Sequence, residues 1–372
     1  MTTARIDLSA DLVTLLRQVC DVPSVSGAEA ELADAVEAAL REHEHLEVLR
    51  DGDTVVARTH LGRAERVIIA GHLDTVPVAG NLPTTLVPDP DGIPATDPAS
   101  RAVVMGRGTC DMKGGVTVAL ALAAELAAPT RDVTWVFYDH EEVAAALSGL
   151  GRVARNHPDW LAADFAVLGE PSAGGVEGGC NGTLRVEVRT TGVAAHSARS
   201  WMGVNAIHGA ADVLARLDAY VPAELEVDGL VYRESLNAVG IRGGVATNVI
   251  PDECVVTVNF RFAPSRSLAE AEEHVRELFA GFEVTVTDGA PGARPGLHHP
   301  AAAQFVAAAL AVTGGEVAPK YGWTDVARFA ELGVPAVNFG PGDPLVAHKD
   351  DEQVPTAQLH QCYRALRDWL TA

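Results

Sequence analysis

The sequence predicts an α/β fold: a mostly parallel sheet with helices on both faces, interrupted by an inserted α+β domain. Three observations predict it. Short continuous apolar runs alternate with helical stretches, the pattern of strands buried on both faces. The middle third of the chain switches to alternating apolar and polar residues, the pattern of half-exposed antiparallel strands. The 372 residues, 48% of them hydrophobic, supply enough core for two domains.

The elements follow in order. The start, MTTARIDLSADLVTLLRQV, is polar and then amphipathic, without the apolar core of a signal peptide. No apolar run reaches the roughly 20 residues that span a bilayer. The expectation is a cytoplasmic protein with no membrane partner. RVIIAG runs up to His72, AVVMGRG towards Asp111, VTWVFY towards Glu141, DFAVLG to Glu170, and PAVNFGPG precedes His348. Helical patterns lie between, in GGVTVALALAAELAA and in AAAQFVAAALAVT. The Pro- and Asp-rich stretch 83–100 reads as a long surface loop. GTLRVEVRTTG, LNAVGIRGGVATNVIPDECVVTVNFRF and FEVTVTDG alternate, with helices expected near 204–218 and 267–280. A discontinuous domain of residues 1–180 and 292–372 is therefore expected, with residues 181–291 inserted into it.

The 50 acidic and 28 basic residues give a formal charge of −22. Such a surface repels nucleic acid and anionic membranes. Most of that charge reads as a solvated surface; a few acids read as metal ligands. The five cysteines are scattered and contain no C-x-x-C pair, which argues against a disulfide framework or a thiolate zinc site. Cys110 lies beside Asp111 but has no histidine context that would make it a nucleophile.

In open α/β sheets, ligands bind at the carboxyl ends of the strands. His72, Asp74, Asp111, Glu141, Glu142 and Glu170 all fall at such ends, and His348 falls in the loop after the last apolar run. A single acid there reads as a cap or turn residue. The whole set does not, because carboxylates gathered in one crevice repel unless cations fill it. In GHLDT, Asp74 is placed to orient the His72 imidazole. In GRGTCDMKGG the glycines read as a tight turn before a helix, no phosphate-loop pattern is present, and Lys113 reads as a solvated helix residue in preference to a charge near the site. Neighbouring side chains on an extended strand end point to opposite sides. One glutamate of the pair would thus bind metal while the other faces substrate and water as general base. Mixed imidazole and carboxylate donors suit zinc, cobalt or manganese.

The ordered motifs GHLDTVP, GRGTCDMKGG, DHEE, GEPS and AHKDDEQVP resemble the dinuclear zinc aminoacylase and carboxypeptidase family over nearly the whole chain. The resemblance implies a catalytic domain interrupted by a lid domain that also forms a homodimer. It implies two Zn2+ per subunit, with Co2+ or Mn2+ as substitutes. By position, Asp111 would bridge the metals, His72 and Glu170 would complete one site, and Glu142 and His348 the other. Glu141 would be the base and Asp74 the partner of His72. His196, in GVAAHSARS, would reach the partner subunit's site and hold the scissile carbonyl oxygen. The implied reaction splits N-succinyl-LL-2,6-diaminopimelate into succinate and LL-2,6-diaminopimelate. An acetylornithine deacetylase-like or carboxypeptidase/dipeptidase-like activity is the alternative, since one metal site serves them all. The resemblance implies Arg261 as a carboxylate contact to this small-molecule substrate and Asn248 as a contact supplied across the dimer; Arg328 reads either as a further contact or as a solvated helix residue. The chain departs from the family at His140, where T-x-D-E-E has an acid, and in GGCNGTLRV and GWTDVARF. His140 either tunes the glutamate pair or packs. These departures bear on substrate contacts rather than on metal ligands.

Overall fold

A computed structural model describes residues 4–372. The chain forms two compact units. The first comprises the residues up to Gly178, with Pro295–Ala318 and Arg328–Ala372; the second comprises Gly179–Arg294 and Pro319–Ala327.

The first unit carries an eight-stranded sheet in the order Glu47–Asp51, Thr54–Arg58, Asp132–Tyr138, Arg66–His72, Phe165–Leu168, Ala336–Asn338, Val176–Gly178, Val317–Pro319. The four strands from Asp132–Tyr138 to Ala336–Asn338 are mutually parallel, and antiparallel pairs flank them. Both faces of the parallel strands are buried. On Arg66–His72, for example, Val67 and Ile69 face one side, Ile68 and Ala70 the other, and all four are at most 1% exposed. This explains the unbroken apolar runs. Helices Leu12–Cys20, Lys113–Glu125, Pro300–Thr313 and Thr356–Thr371 pack together beside the sheet. Phe305 stacks edge-on against Trp369 and Phe339 there, with ring centroids 4.9 and 5.3 Å apart.

One run takes a different partner. Val103–Met105 lies not in the main sheet but at the centre of a separate three-stranded antiparallel sheet, between Thr85–Val87 and Gln353–Pro355. Only three residues stay extended, and the chain after His348 zips onto them: Thr356 N–H donates to the Ala102 carbonyl at 3.0 Å and Gly106 N–H to that of Glu352 at 2.9 Å. Asp111 is therefore delivered by a side sheet tied to the His348 segment. Thr85–Val87 is the only strand within the 83–100 loop.

Backbone meets backbone beside Glu170. A Cβ on Gly115 would stand 2.0 Å from the Gly169 carbonyl oxygen, and one on Gly340 would stand 2.3 Å from the same atom. The Gly115→Ala substitution gains at most about 1 kcal/mol of helix propensity. It loses about 1–3 kcal/mol to overpacking, with no flexible side chain to yield. The expected result is a lower Tm for the metal-free protein, read by calorimetry.

The second unit has a four-stranded antiparallel sheet in the order Ser235–Gly243, Glu253–Phe262, Gly182–Thr191, Glu283–Ala290. Leu184, Val186 and Val188 are buried while Arg185 and Arg189 are exposed, the alternation visible in the sequence. Helices Ala206–Asp218 and Leu268–Leu278 pack on the sheet, the latter opened by a capping box between Ser267 and Glu270. Pro319–Ala327, expected with residues 292–372, belongs instead to this unit. Its backbone is claimed here: Asn181 N–H donates to the Lys320 carbonyl at 3.1 Å, and the Trp323 indole to that of Pro291 at 3.0 Å.

Candidate metal centre

His72 ends its parallel strand and is 1% exposed. Its Nδ1 lies 2.9 Å from the Asp74 backbone carbonyl, which can only accept, so the other ring nitrogen, Nε2, faces the site. Nε2 stands 3.2 Å from Asp111 Oδ1. Asp74 thus holds His72 through its main chain; its carboxylate sits 3.6 Å from the ring. That carboxylate is occupied by the amides of Glu141 and Glu142, at 3.0 Å each, and by the Ser26 hydroxyl at 2.7 Å.

The glutamate pair does not diverge as an extended strand end would require. The strand stops at Tyr138 and the chain turns at His140, whose φ is +60°. Beyond that turn the alternation of an extended backbone no longer applies. One carboxylate oxygen from Glu141, one from Glu142 and a ring nitrogen of His72 all lie within 4.8 Å of one another. His140 belongs to the support behind the pair. Its Nδ1 is 2.7 Å from Asp139 Oδ2, and its N–H donates to buried Glu29 at 3.2 Å. Asp139 also accepts from Arg152 at 2.7 Å and Thr54 at 2.6 Å. Burial would raise the Asp139 carboxyl, but these hydrogen bonds hold it below its ordinary value.

Asp111 follows a turn at Gly108 (φ +80°) and immediately precedes Met112, the N-cap of Lys113–Glu125. Its two oxygens face different imidazoles: Oδ1 faces His72 and Oδ2 lies 3.2 Å from His348 Nε2. His348 Nε2 is also 2.9 Å from Glu142 Oε1. Glu170, 4% exposed, lies two residues past the strand Phe165–Leu168. The donors fall into three overlapping groups: His72 with Glu141 and Glu142, His72 with Asp111 and Glu170, and Asp111 with Glu142 and His348. All are carboxylate oxygens and imidazole nitrogens, a donor set that fits Zn2+, Co2+ or Mn2+ and lacks thiolate.

The electrostatics match such a role. Burial pushes the His72 imidazole down, but its hydrogen bond to Asp111 and the charges of Asp74 and Glu141 outweigh this and hold it well above the ordinary range. Hydrogen bonds to Asp111 and Glu142 push His348 up to about 10. Burial alone would raise Asp111, yet His348 and His72 hold it well below the usual carboxylate range. In the metal-free protein, protons thus sit where cations would. Both imidazoles have folded pKa values above the unfolded value of about 6.5, so their stabilisation is complete below pH 6.5, and the His348 part fades as pH rises through about 10. Calorimetry with chelator should show Tm falling across that window, and saturating Zn2+ should flatten the fall.

The site also contains residues the sequence reading missed. Lys113 is not solvated. It is 1% exposed, and its Nζ donates to the carbonyls of Val22 at 2.9 Å and Val19 at 3.4 Å, at the end of the helix Leu12–Cys20. Burial pushes its ammonium below the ordinary range. The helix it opens is apolar all round, which was the available signal. Glu352, hidden in the charge run KDDEQ, is 1% exposed and paired with Arg107 at 2.8 Å.

Three of the four expected substrate and lid residues lie in the second unit. His196 is exposed, in the two-residue strand Ala195–His196, and its Nδ1 accepts from Ala198 N–H at 3.1 Å. Asn248 is beside it: its carbonyl accepts from Ser197 N–H at 2.9 Å. Arg261 is half-buried near the end of Glu253–Phe262. Arg328, in the first unit, donates to the Ala145 carbonyl at 3.0 Å.

Comparison with known proteins places this geometry in a family. Residues 68–372 match the model of peptidase family M20/M25/M40. The chain belongs to that family. It is 52% identical over 368 residues, 98% of this chain and 99% of the other, to a Mycobacterium tuberculosis (strain CDC 1551 / Oshkosh) protein named "Putative succinyl-diaminopimelate desuccinylase DapE". It is 46% identical over 377 residues, 98% of each chain, to a Corynebacterium glutamicum succinyl-diaminopimelate desuccinylase. A tripeptidase from Staphylococcus aureus shares the fold, with a TM-score of 0.75, 20% identity and 98% coverage of both chains. As an M20/M25/M40 member the chain is a hydrolase that acts on a small molecule. Among the described residues, no helix is long and apolar enough to cross a membrane.

Proposed function

We propose that this M20/M25/M40 hydrolase converts N-succinyl-LL-2,6-diaminopimelate and water to succinate and LL-2,6-diaminopimelate in the cytoplasm. The observation that carries the substrate is 52% identity over 98% of the chain to a relative of that name. The overlapping donor groups support two divalent cations, Zn2+ by preference with Co2+ or Mn2+ as substitutes. Asp111 would serve both, His72 and Glu170 one, Glu142 and His348 the other. When bound, the cations supply Lewis acidity, which acidifies water and polarises the scissile carbonyl.

The chain's own residues do the rest. Glu141 takes a proton from water as its oxygen bonds to the succinyl carbonyl carbon. As the C–N bond breaks, Glu141 returns that proton to the departing amine. His196 is built as a donor: because Nδ1 accepts from Ala198, the ring proton sits on Nε2. It would steady the carbonyl oxygen of substrate bound to a partner copy. Arg261 would grip a substrate carboxylate through its planar fork, with Asn248 and Arg328 beside other polar groups of the substrate. A homodimer through the second unit is supported by its exposed edge. Val239 and Ile241 on Ser235–Gly243 are 60% and 55% exposed, and among the described residues that strand lies at the edge of its sheet.

The test is a panel of initial rates on Zn2+-loaded protein with N-succinyl-LL-2,6-diaminopimelate, N-acetylornithine and short dipeptides. The expected kcat/KM for the succinylated substrate exceeds the others by at least about a hundredfold, the discrimination available when buried polar contacts are left unpaired. Preferential turnover of acetylornithine or a dipeptide would overturn the substrate and keep the centre.

A further inference from the structure

Two carboxylates stand behind the donor groups, and they do the same thing. Asp74 accepts the consecutive amides of Glu141 and Glu142. Glu352 accepts the consecutive amides of Cys110 and Asp111, each 3.1 Å from its Oε1. Its other oxygen takes Arg107 Nη1 at 2.8 Å, and both side chains are buried, 3% and 1% exposed. Arg107 then reaches the carbonyls of Lys349 at 3.2 Å and Pro77 at 3.1 Å. The Glu352 main chain closes the arrangement, its carbonyl accepting from Gly106 and its amide donating to Lys349. One residue thereby ties the Gly-rich segment that carries Asp111 to the segment that carries His348.

We propose that Glu352, clamped by Arg107, is a positioning residue for the metal centre: it locks the Asp111 and His348 segments together and so sets the affinity of the Asp111–Glu142–His348 group for its cation. The inference rests on the metal-centre reading above. Its physical basis is the type of acceptor. Every group that faces the Glu352 side chain in these contacts is a donor, so an acceptor-only carboxylate satisfies them all. A glutamine at this position turns an NH2 towards either Arg107 or the peptide amides. The Asp111 segment then loses its anchor while every metal ligand remains present. Outer partners of metal ligands commonly hold about 10–100-fold in affinity.

The test is Zn2+ titration against a competing fluorescent chelator for the wild type and Glu352→Gln, with thermal unfolding of the chelated proteins alongside. The wild type takes up two Zn2+. In Glu352→Gln the cation of the Asp111–Glu142–His348 group, which has two ligands on the loosened segments, weakens by about 10–100-fold, and the other, which has only Asp111 on them, weakens clearly less. Equal affinities in variant and wild type overturn the inference. So does an equal loss at both positions, which reports general loosening. Should Glu352→Gln not fold, Glu352→Asp carries the test. It keeps the charge opposite Arg107 but draws the oxygens back from the amides, and a larger loss at the Asp111–Glu142–His348 cation than at the other is again expected. If neither variant folds, Glu352 determines the fold and the inference is overturned. A wild type that takes up no Zn2+ sinks the metal-centre reading and the inference together, whereas normal wild-type uptake with an unaffected variant sinks the inference alone.

Discussion

Glu141→Gln lowers kcat by about 10²–10⁴-fold, the usual contribution of a positioned general base, and leaves the bound metal in place. The substitution keeps size and shape and removes only the basic oxygen. The geometry makes both readouts necessary. Glu141, Glu142 and His72 offer donor atoms within 4.8 Å of one another, so Glu141 sits close enough to ligate as well as to act as base. If it is the base, metal analysis finds the wild-type content in an inactive protein. If it is a ligand, activity and metal fall together. The backbone does not confuse the comparison, because the Glu141 and Glu142 amides are both held by Asp74.

Asp111→Ala empties the centre, and His348→Ala half-empties it. Asp111 belongs to two of the three donor groups and presents one oxygen to each histidine, whereas His348 belongs to a single group. Removing Asp111 takes a donor from two of the three groups and leaves His72 and His348 without the carboxylate they share. The expected metal content falls from about two equivalents to below one for Asp111→Ala and to about one for His348→Ala. Hydrolysis should be lost in the first variant and reduced in the second. Equal metal contents in the two variants would contradict a shared role for Asp111.

Much of the site could be read from the sequence because polar residues interrupt apolar runs. His72 closes RVIIAG, and Glu170 follows DFAVL by one glycine; in the structure both stand at the ends of parallel strands and contribute to one donor group. The fold class was legible for the same reason, since strands buried on both faces leave no polar alternation. What escaped depends on contacts between distant segments. Val103–Met105 looks like any buried strand until Gln353–Pro355, some 250 residues later, claims its hydrogen bonds. Lys113 is a residue type of the surface, and its ammonium is held inside by carbonyls at the end of another helix. Glu352 is one acid among four charges, and its burial follows from Arg107, itself one of 28 basic residues. The direction of the glutamate pair turns on a single positive φ at His140, a conformation that an ordinary histidine codon does not announce. Side chains that act locally leave a pattern, and those that brace the site from behind do not.

If paired cations held by Asp111 and its neighbours drive hydrolysis of a succinylated amine, turnover requires both of them. The most direct measurement is succinate release from N-succinyl-LL-2,6-diaminopimelate by metal-stripped protein as Zn2+ is added back in known equivalents. No turnover is expected in the stripped protein, with a plateau at about two equivalents per chain. Full turnover by the stripped protein in excess chelator would contradict it.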